Sequence, residues 1–295
     1  MKTFLTSFVL LGSVASLWAN ATPSTINATN RYAYGANIGW VDWRGYTNGA
    51  AVIGQYVCSG YLYAANVGWI YLGNGAPTNS IQYLNLSADD VGVNQDGLGN
   101  LSGYAYGANI GWINFTNRDA NGISFAGPKV DLKNGRMTGY AYSANCGWIS
   151  LSNAQAYVQT DTVSPGLLDT NGLPIAWELL NFGTTGVNPN ADPDGDGMSN
   201  LQEYLAGTDP NDTNSKLIFT TISAPSLGTT VNLTWKSVLT RCYFIQEKLN
   251  LSAPAWADSG LGLISSDGST TTRTLTDTNA PTRFYRVQAV RPLGP

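Results

Sequence analysis

One thirteen-residue phrase, GYAYGANIGWINF at residues 103–115, is written four times in this chain. The other copies are RYAYGANIGWVDW from Arg31, GYLYAANVGWIYL from Gly60 and GYAYSANCGWISL from Gly139. All four share Tyr-x-Tyr-x-Ala-Asn-x-Gly-Trp followed by Val or Ile. Their tryptophans, Trp40, Trp69, Trp112 and Trp148, are 29, 43 and 36 residues apart. That is the spacing of repeat arrays, in which each period is one supersecondary unit needing its neighbours to bury its apolar face.

Tyr104 and Tyr106 lie two apart and share one face of a strand, while Trp112, Ile113 and Phe115 belong to a returning strand. Asn109 and Gly111 suit the positive φ of a tight turn, so each copy reads as a β-hairpin. Trp112 and Ile113 face opposite ways, so large apolar groups lie on both sides and both sides call for cover. Turn-rich DGLGNLSGY and DLKNGRMTGY ahead of copies three and four add a further strand, giving about three per repeat. The expected architecture is mainly β, and the hairpins could form a closed ring, a solenoid or a sandwich. Tyrosine, with its polar tip, is assigned to the exposed set and tryptophan to the core. Tyr32, Tyr34, Tyr61, Tyr63, Tyr104, Tyr106, Tyr140 and Tyr142 are then candidate ligand-binding residues, as a surface on which a sugar ring could stack; the alternative is that they are structural edge.

Charged residues are 12% of the 295, and the net charge is −4. No basic stripe is present for nucleic acid, and no Lys/Arg cluster for an anionic membrane. Residues 1–21 read as a secretory signal: Lys2, an apolar run from Phe4 to Trp18, then Ala19-Asn20-Ala21. No other segment is apolar enough to span a bilayer, so secretion or display at the cell surface is expected, with no transmembrane segment after cleavage. Cys58, Cys146 and Cys242 are an odd count. Copy alignment puts Cys58 and Cys146 at core positions, as free thiols or as a bridged pair.

After the repeat domain, residues 22–163, the composition changes. Residues 164–214 form a linker with a helix, PIAWELLN, opened by Pro174 and closed by Gly183. Then comes DPDGDGMSNLQE. Asp192, Asp194 and Asp196 hold positions 1, 3 and 5 of a twelve-residue loop, Gly197 position 6 and Glu203 position 12. Alternate carboxylates converge on one hard cation, Gly197 permits the turn, and Met198 and Asn200 occupy positions 7 and 9. Calcium is the expected ion, with a dissociation constant of roughly 0.1 to 1 mM. Ser199 and Gln202 form a capping box for the helix that follows, which Gly207 ends. Residues 215–295 alternate as strands and turns and read as a small β-sandwich with Trp235 and Tyr285 in its core.

The repeats resemble a short Trp-rich repeat of exported Gram-negative proteins. ADPDGDGMSNLQEYLAGTDPND resembles thrombospondin type 3 and dockerin-like calcium repeats, and DTNGLPIAWELL looks like a worn copy of the same signature with Asn171 in place of an Asp. The region from Ser215 resembles a fibronectin type III module. These resemblances imply surface display and calcium-stiffened spacing, not a reaction.

The chain has no histidine, which excludes Ser-His-Asp and Cys-His catalysis. Its only glutamates are Glu178, Glu203 and Glu247, none in the repeats, and Asp42, Asp119 and Asp131 single out no acid-base pair. The expected function is non-catalytic binding or adhesion, with a glycan or a surface protein as ligand; the alternative is a scaffold component of an envelope or matrix.

Overall fold

The computed structural model describes residues 23–46, 49–117, 124–223, 230–276 and 283–294. The proposed signal, residues 1–21, lies outside them. In chain order the first hairpin is β1 (Ile26–Gly35) and β2 (Gly39–Asp42), followed by a short β3 (Val52–Ile53). The second is β4 (Cys58–Ala64) and β5 (Gly68–Asn74), followed by β6 (Val93–Gln95). The third is β7 (Leu101–Gly107) and β8 (Gly111–Asn114), followed by β9 (Lys129–Val130) and β10 (Met137–Thr138). The fourth is β11 (Tyr140–Ser143) and β12 (Gly147–Ser150), and β13 (Val158–Thr160) lies beside β1.

The four hairpins close into an eight-stranded antiparallel barrel, because β12 pairs with β1. Of the three architectures open to the sequence, it is the closed ring. The junctions share one register. Val41 lies opposite Ala64, Ile70 opposite Gly107 and, across the seam, Ile149 opposite Gly35. Eight strands leave an interior just wide enough for side chains to fill it. Ala33, Leu62, Ala105 and Ala141 share it with Val41, Ile70, Ile113 and Ile149, and Trp43, Leu72, Phe115 and Leu151 fill the end away from the hairpin turns.

The tryptophans of the repeat are not core. Trp40, Trp69, Trp112 and Trp148 are 46, 44, 50 and 42% exposed. The register explains why. Tyr34, Tyr63, Tyr106 and Tyr142 sit directly opposite them, and directly opposed residues project from the same face of an antiparallel pair. Tyrosine and tryptophan therefore go outward together, and the residue between the two tyrosines, Ala or Leu, goes inward.

At the turns, Gly39, Gly68, Gly111 and Gly147 take φ between +70° and +82°. Asn109 does not, contrary to the sequence expectation. Instead the repeated asparagines bind the neighbouring hairpin. Asn66 donates to Ile38 O (3.2 Å), Asn109 to Val67 O (3.0 Å), Asn145 to Ile110 O (3.0 Å) and Asn37 to Cys146 O (3.1 Å), which completes a circle across the seam.

Inside that circle Ile38, Ile110 and Cys146 are buried, with Val67 packed against the same core. A Cβ on Gly35 or Gly107 would lie 2.8 Å from the Ile38 or Ile110 side chain. Where Val67 and Cys146 replace isoleucine, the facing residues are Ala64 and Ser143. Gly107→Ala will therefore destabilise the barrel by about 1–3 kcal/mol through overpacking, and adding Ile110→Val will recover most of that loss. Urea unfolding of the single and double variants measures the coupling, and strict additivity would refute this account of the turn.

Cys58, Cys146 and Cys242 are buried free thiols, so the Cys58–Cys146 bridge is not formed. Cys146 sits in the turn layer, whereas Cys58 is six residues down β4 from Ala64, about 20 Å along a strand. Burial pushes the Cys58 thiol up to about 12.

Helices α1 (Ile175–Phe182) and α2 (Asn200–Ala206) follow the barrel. Gly183 and Gly207 end them in the left-handed conformation, and Ser199 and Gln202 close the expected capping box. The C-terminal region pairs β14 (Phe219–Ser223), β15 (Thr230–Lys236) and β19 (Thr270–Thr276) in one sheet. β16 (Cys242–Lys248), β17 (Ala257–Asp258), β18 (Ile264–Ser265) and β20 (Phe284–Val290) form another. Both sheets contribute to one cluster around Leu233, Trp235, Tyr243 and Ile245. Tyr285 packs against its edge rather than at its centre.

Candidate functional sites

Two places carry chemistry. The first is the outer face of the barrel. In each hairpin the tryptophan contacts two tyrosines. Ring centroids are 4.9, 4.7, 4.8 and 4.8 Å apart for Tyr34–Trp40, Tyr63–Trp69, Tyr106–Trp112 and Tyr142–Trp148. The upstream tyrosines, Tyr32, Tyr61, Tyr104 and Tyr140, stand 6.2–6.5 Å from the same rings. All eight predicted tyrosines are therefore brought onto the outer face, four equivalent clusters around one ring. The sequence reading missed the tryptophans as members of these clusters, although the small or aliphatic residue between each tyrosine pair marks the inward face.

Three clusters are flanked by the loop that precedes their hairpin. Tyr46 lies 5.1 Å from Trp69 and Phe125 4.6 Å from Trp148. Beside Trp112 and Tyr104 the loop supplies Asn85, Leu86, Ser87, Ala88 and Val91, and the result is an open cleft. That loop is tightly held. Asp90, itself buried, accepts from the backbone N–H groups of Thr78 and Leu84, which hold its carboxyl below the usual range. Asn85 takes φ of +57° and accepts from Gly92 N. Leu86 on this fixed loop is 86% exposed. No Lys or Arg occurs between Arg44 and Arg118, so the cleft carries no positive charge.

The second place is the loop before α2. Carboxylate oxygens of Asp192, Asp194 and Asp196 lie within 4.8 Å of one another. Backbone N–H groups shape the loop. Gly195 and Asp196 donate to Asp192 Oδ1, Gly197 to Asp192 Oδ2 and Met198 to Asp196 Oδ1. Asp194 Oδ2, Asp196 Oδ2 and both oxygens of Glu203 are buried without a hydrogen-bond partner. Burial, then the charges of Asp194 and Asp196, push the Glu203 carboxyl up to about 7. Asn200 donates to Asn188 O (2.9 Å), and its Oδ1 is buried without a partner. Anionic oxygens with no donors left to satisfy them are the donor set of a hard cation, so the residues present fit one.

The worn copy upstream is satisfied only in part. Asn171 Nδ2 donates to Glu178 Oε1 (3.0 Å) and Val187 O (2.7 Å), and Gly186 and Val187 N–H groups donate to the same Glu178 oxygen. An amide and two backbone donors thus stand against one oxygen of this carboxylate, while Glu178 Oε2 is buried without a partner.

Comparison of the chain with protein-family models, curated proteins and solved structures finds no match. Among the described residues, no helix is long and apolar enough to cross a membrane.

Proposed function

We propose that the protein is an exported, non-catalytic binding or adhesion module whose barrel presents aromatic clusters to a glycan. A calcium-stabilised linker carries it beside a fibronectin type III-like sandwich. The observation that carries the reading is the half-exposure of all four repeat tryptophans. The interior of the barrel is filled without them, so packing of the core does not require an indole at these positions. Four rings kept outward, each against two tyrosines, offer apolar faces with hydroxyl groups beside them, the combination that recognises a sugar ring. The lining of the Trp112–Tyr104 cleft includes no Lys or Arg, which disfavours an anionic ligand there.

The best-formed subsite is the Trp112–Tyr104 cleft, with Leu86 and Val91 as its wall. Substituting Tyr104 and Tyr106 with Ala, or Trp112 with Ala, will weaken glycan-array signal while circular dichroism still reports a folded barrel. Absence of signal from the unaltered protein would turn the assignment to the scaffold reading, in which the same face packs against other envelope or matrix components.

In the linker, Asp192, Asp194, Asp196 and Glu203 would hold calcium, with Met198 through its carbonyl and Asn200 at the remaining EF-hand places. The ion would supply the positive charge that the buried carboxylates otherwise lack.

A further inference from the structure

The residue after Glu203 joins the acidic loop to both of the other regions. Tyr204 is buried against Trp177 of α1, and its hydroxyl donates to Gln55 on the barrel (3.3 Å). Tyr56, also from the barrel, packs into the same cluster. From the C-terminal side two guanidinium groups, Arg241 at the start of β16 and Arg291 after β20, stand 6.0 and 5.7 Å from the Tyr204 ring. Arg241 is 4% exposed, and it donates to Leu205 O (2.8 Å) and to Tyr204 O. Those are carbonyls of the last turn of α2, where a cation is favoured and an unmet acceptor would otherwise remain. A Cβ on Gly207 would come within 3.0–3.1 Å of the Arg241 side chain, so the glycine that ends α2 also leaves room for this arginine.

We infer that occupancy of the carboxylate loop governs how firmly the C-terminal sheets are seated on the barrel, with α2 as the connecting lever. The inference rests on the calcium reading. Helix α2 is only seven residues long. Glu203 on one side of it is buried with both oxygens unpartnered, and Tyr204 and the Leu205 carbonyl on the other side hold Arg241. With the cation bound, Glu203 is held inward and the last turn presents its carbonyls to Arg241. Without the cation, the uncompensated carboxylates push the loop and Glu203 apart. The short helix cannot absorb that movement internally, so the carbonyls leave Arg241, a buried charge that then keeps only Thr240 as a hydrogen-bond partner. Linkage makes the coupling reciprocal: loosening Arg241 must weaken the cation site by the same factor.

The test uses the full chain and calcium alone as the probe. Calorimetry first establishes binding to the unaltered protein. Hydrogen exchange is then followed in calcium and in chelator, at α2, at Cys242–Lys248 and, as a control, at the barrel strands. Chelation is expected to speed exchange at α2 and in β16 by roughly 10- to 100-fold, the worth of hydrogen bonds to a charged group, and to leave the barrel unchanged. Arg241→Lys, whose ammonium lacks the planar fork that meets both carbonyls at once, is expected to raise the calcium dissociation constant at least fivefold although Arg241 is no ligand. Binding that is unaltered in Arg241→Lys, together with β16 exchange indifferent to chelator, would overturn the coupling and leave the calcium assignment standing. No calcium binding by the unaltered protein would remove both. Should Arg241→Lys fail to fold, the chelator comparison on the unaltered protein decides.

Discussion

Calcium titration of the unaltered protein is expected to give a single-site heat, and Asp194→Ala is expected to eliminate it. The expectation follows from the buried, unpartnered oxygens of Asp194, Asp196 and Glu203. Removing one carboxylate from a site that has no spare side-chain charge lowers affinity beyond the measurable range for a module of this type. With a dissociation constant of roughly 0.1 to 1 mM, 10 mM calcium would stabilise the native protein by about 1.4–2.7 kcal/mol. The thermal midpoint of the unaltered protein should therefore rise with calcium, and that of Asp194→Ala should not. A midpoint that rises equally in both would place the ion elsewhere. Asn171→Ala, in the worn copy, should lower stability without changing the calcium dependence, because an amide and two backbone N–H groups already meet Glu178 Oε1 there.

Ile113→Ala will destabilise the barrel more than Trp112→Ala, although it removes the smaller side chain. Ile113 is 1% exposed inside a ring too narrow to collapse around the space left, so the loss is about 2–5 kcal/mol. Trp112 gives up contacts with Tyr104 and Tyr106 on a face open to water, worth about 1–2 kcal/mol. Urea denaturation of the two variants compares them directly. If Trp112→Ala proves the costlier, the outer belt is what holds the ring together and the tryptophans need no ligand to explain them.

The contrast shows what the sequence could and could not disclose. A hairpin is a local object, and the tyrosine pair, the Gly-Trp return and the turn glycines all lie within thirteen residues. The acidic loop is equally local, with its carboxylates at alternate positions and a capping box behind them. Closure is not local. Tyr34 meets Ser150, and Asn37 meets Cys146 O, over separations that no pattern along the chain announces. The direction of the tryptophans was legible in principle, because a strand whose inward positions are alanine leaves its aromatics outside. It was missed because Trp112 and Ile113 are both apolar, and apolar character alone does not say which of two faces is the narrow interior. The asparagines were recognised as turn residues, but their role depends on a carbonyl in the neighbouring hairpin, which one copy cannot reveal.

The seam between β1 and β12 also sets an order of events during synthesis. Until the fourth hairpin has been made, the first three can form only an open sheet whose two outer strands have unpaired backbone groups, available to any other chain nearby. Such an intermediate is at its most vulnerable just before completion, when most of its apolar interior exists without a wall. A nascent chain halted before residue 150 should therefore associate with its own kind, and the last hairpin acts less as an addition to the ring than as the piece that makes the others safe.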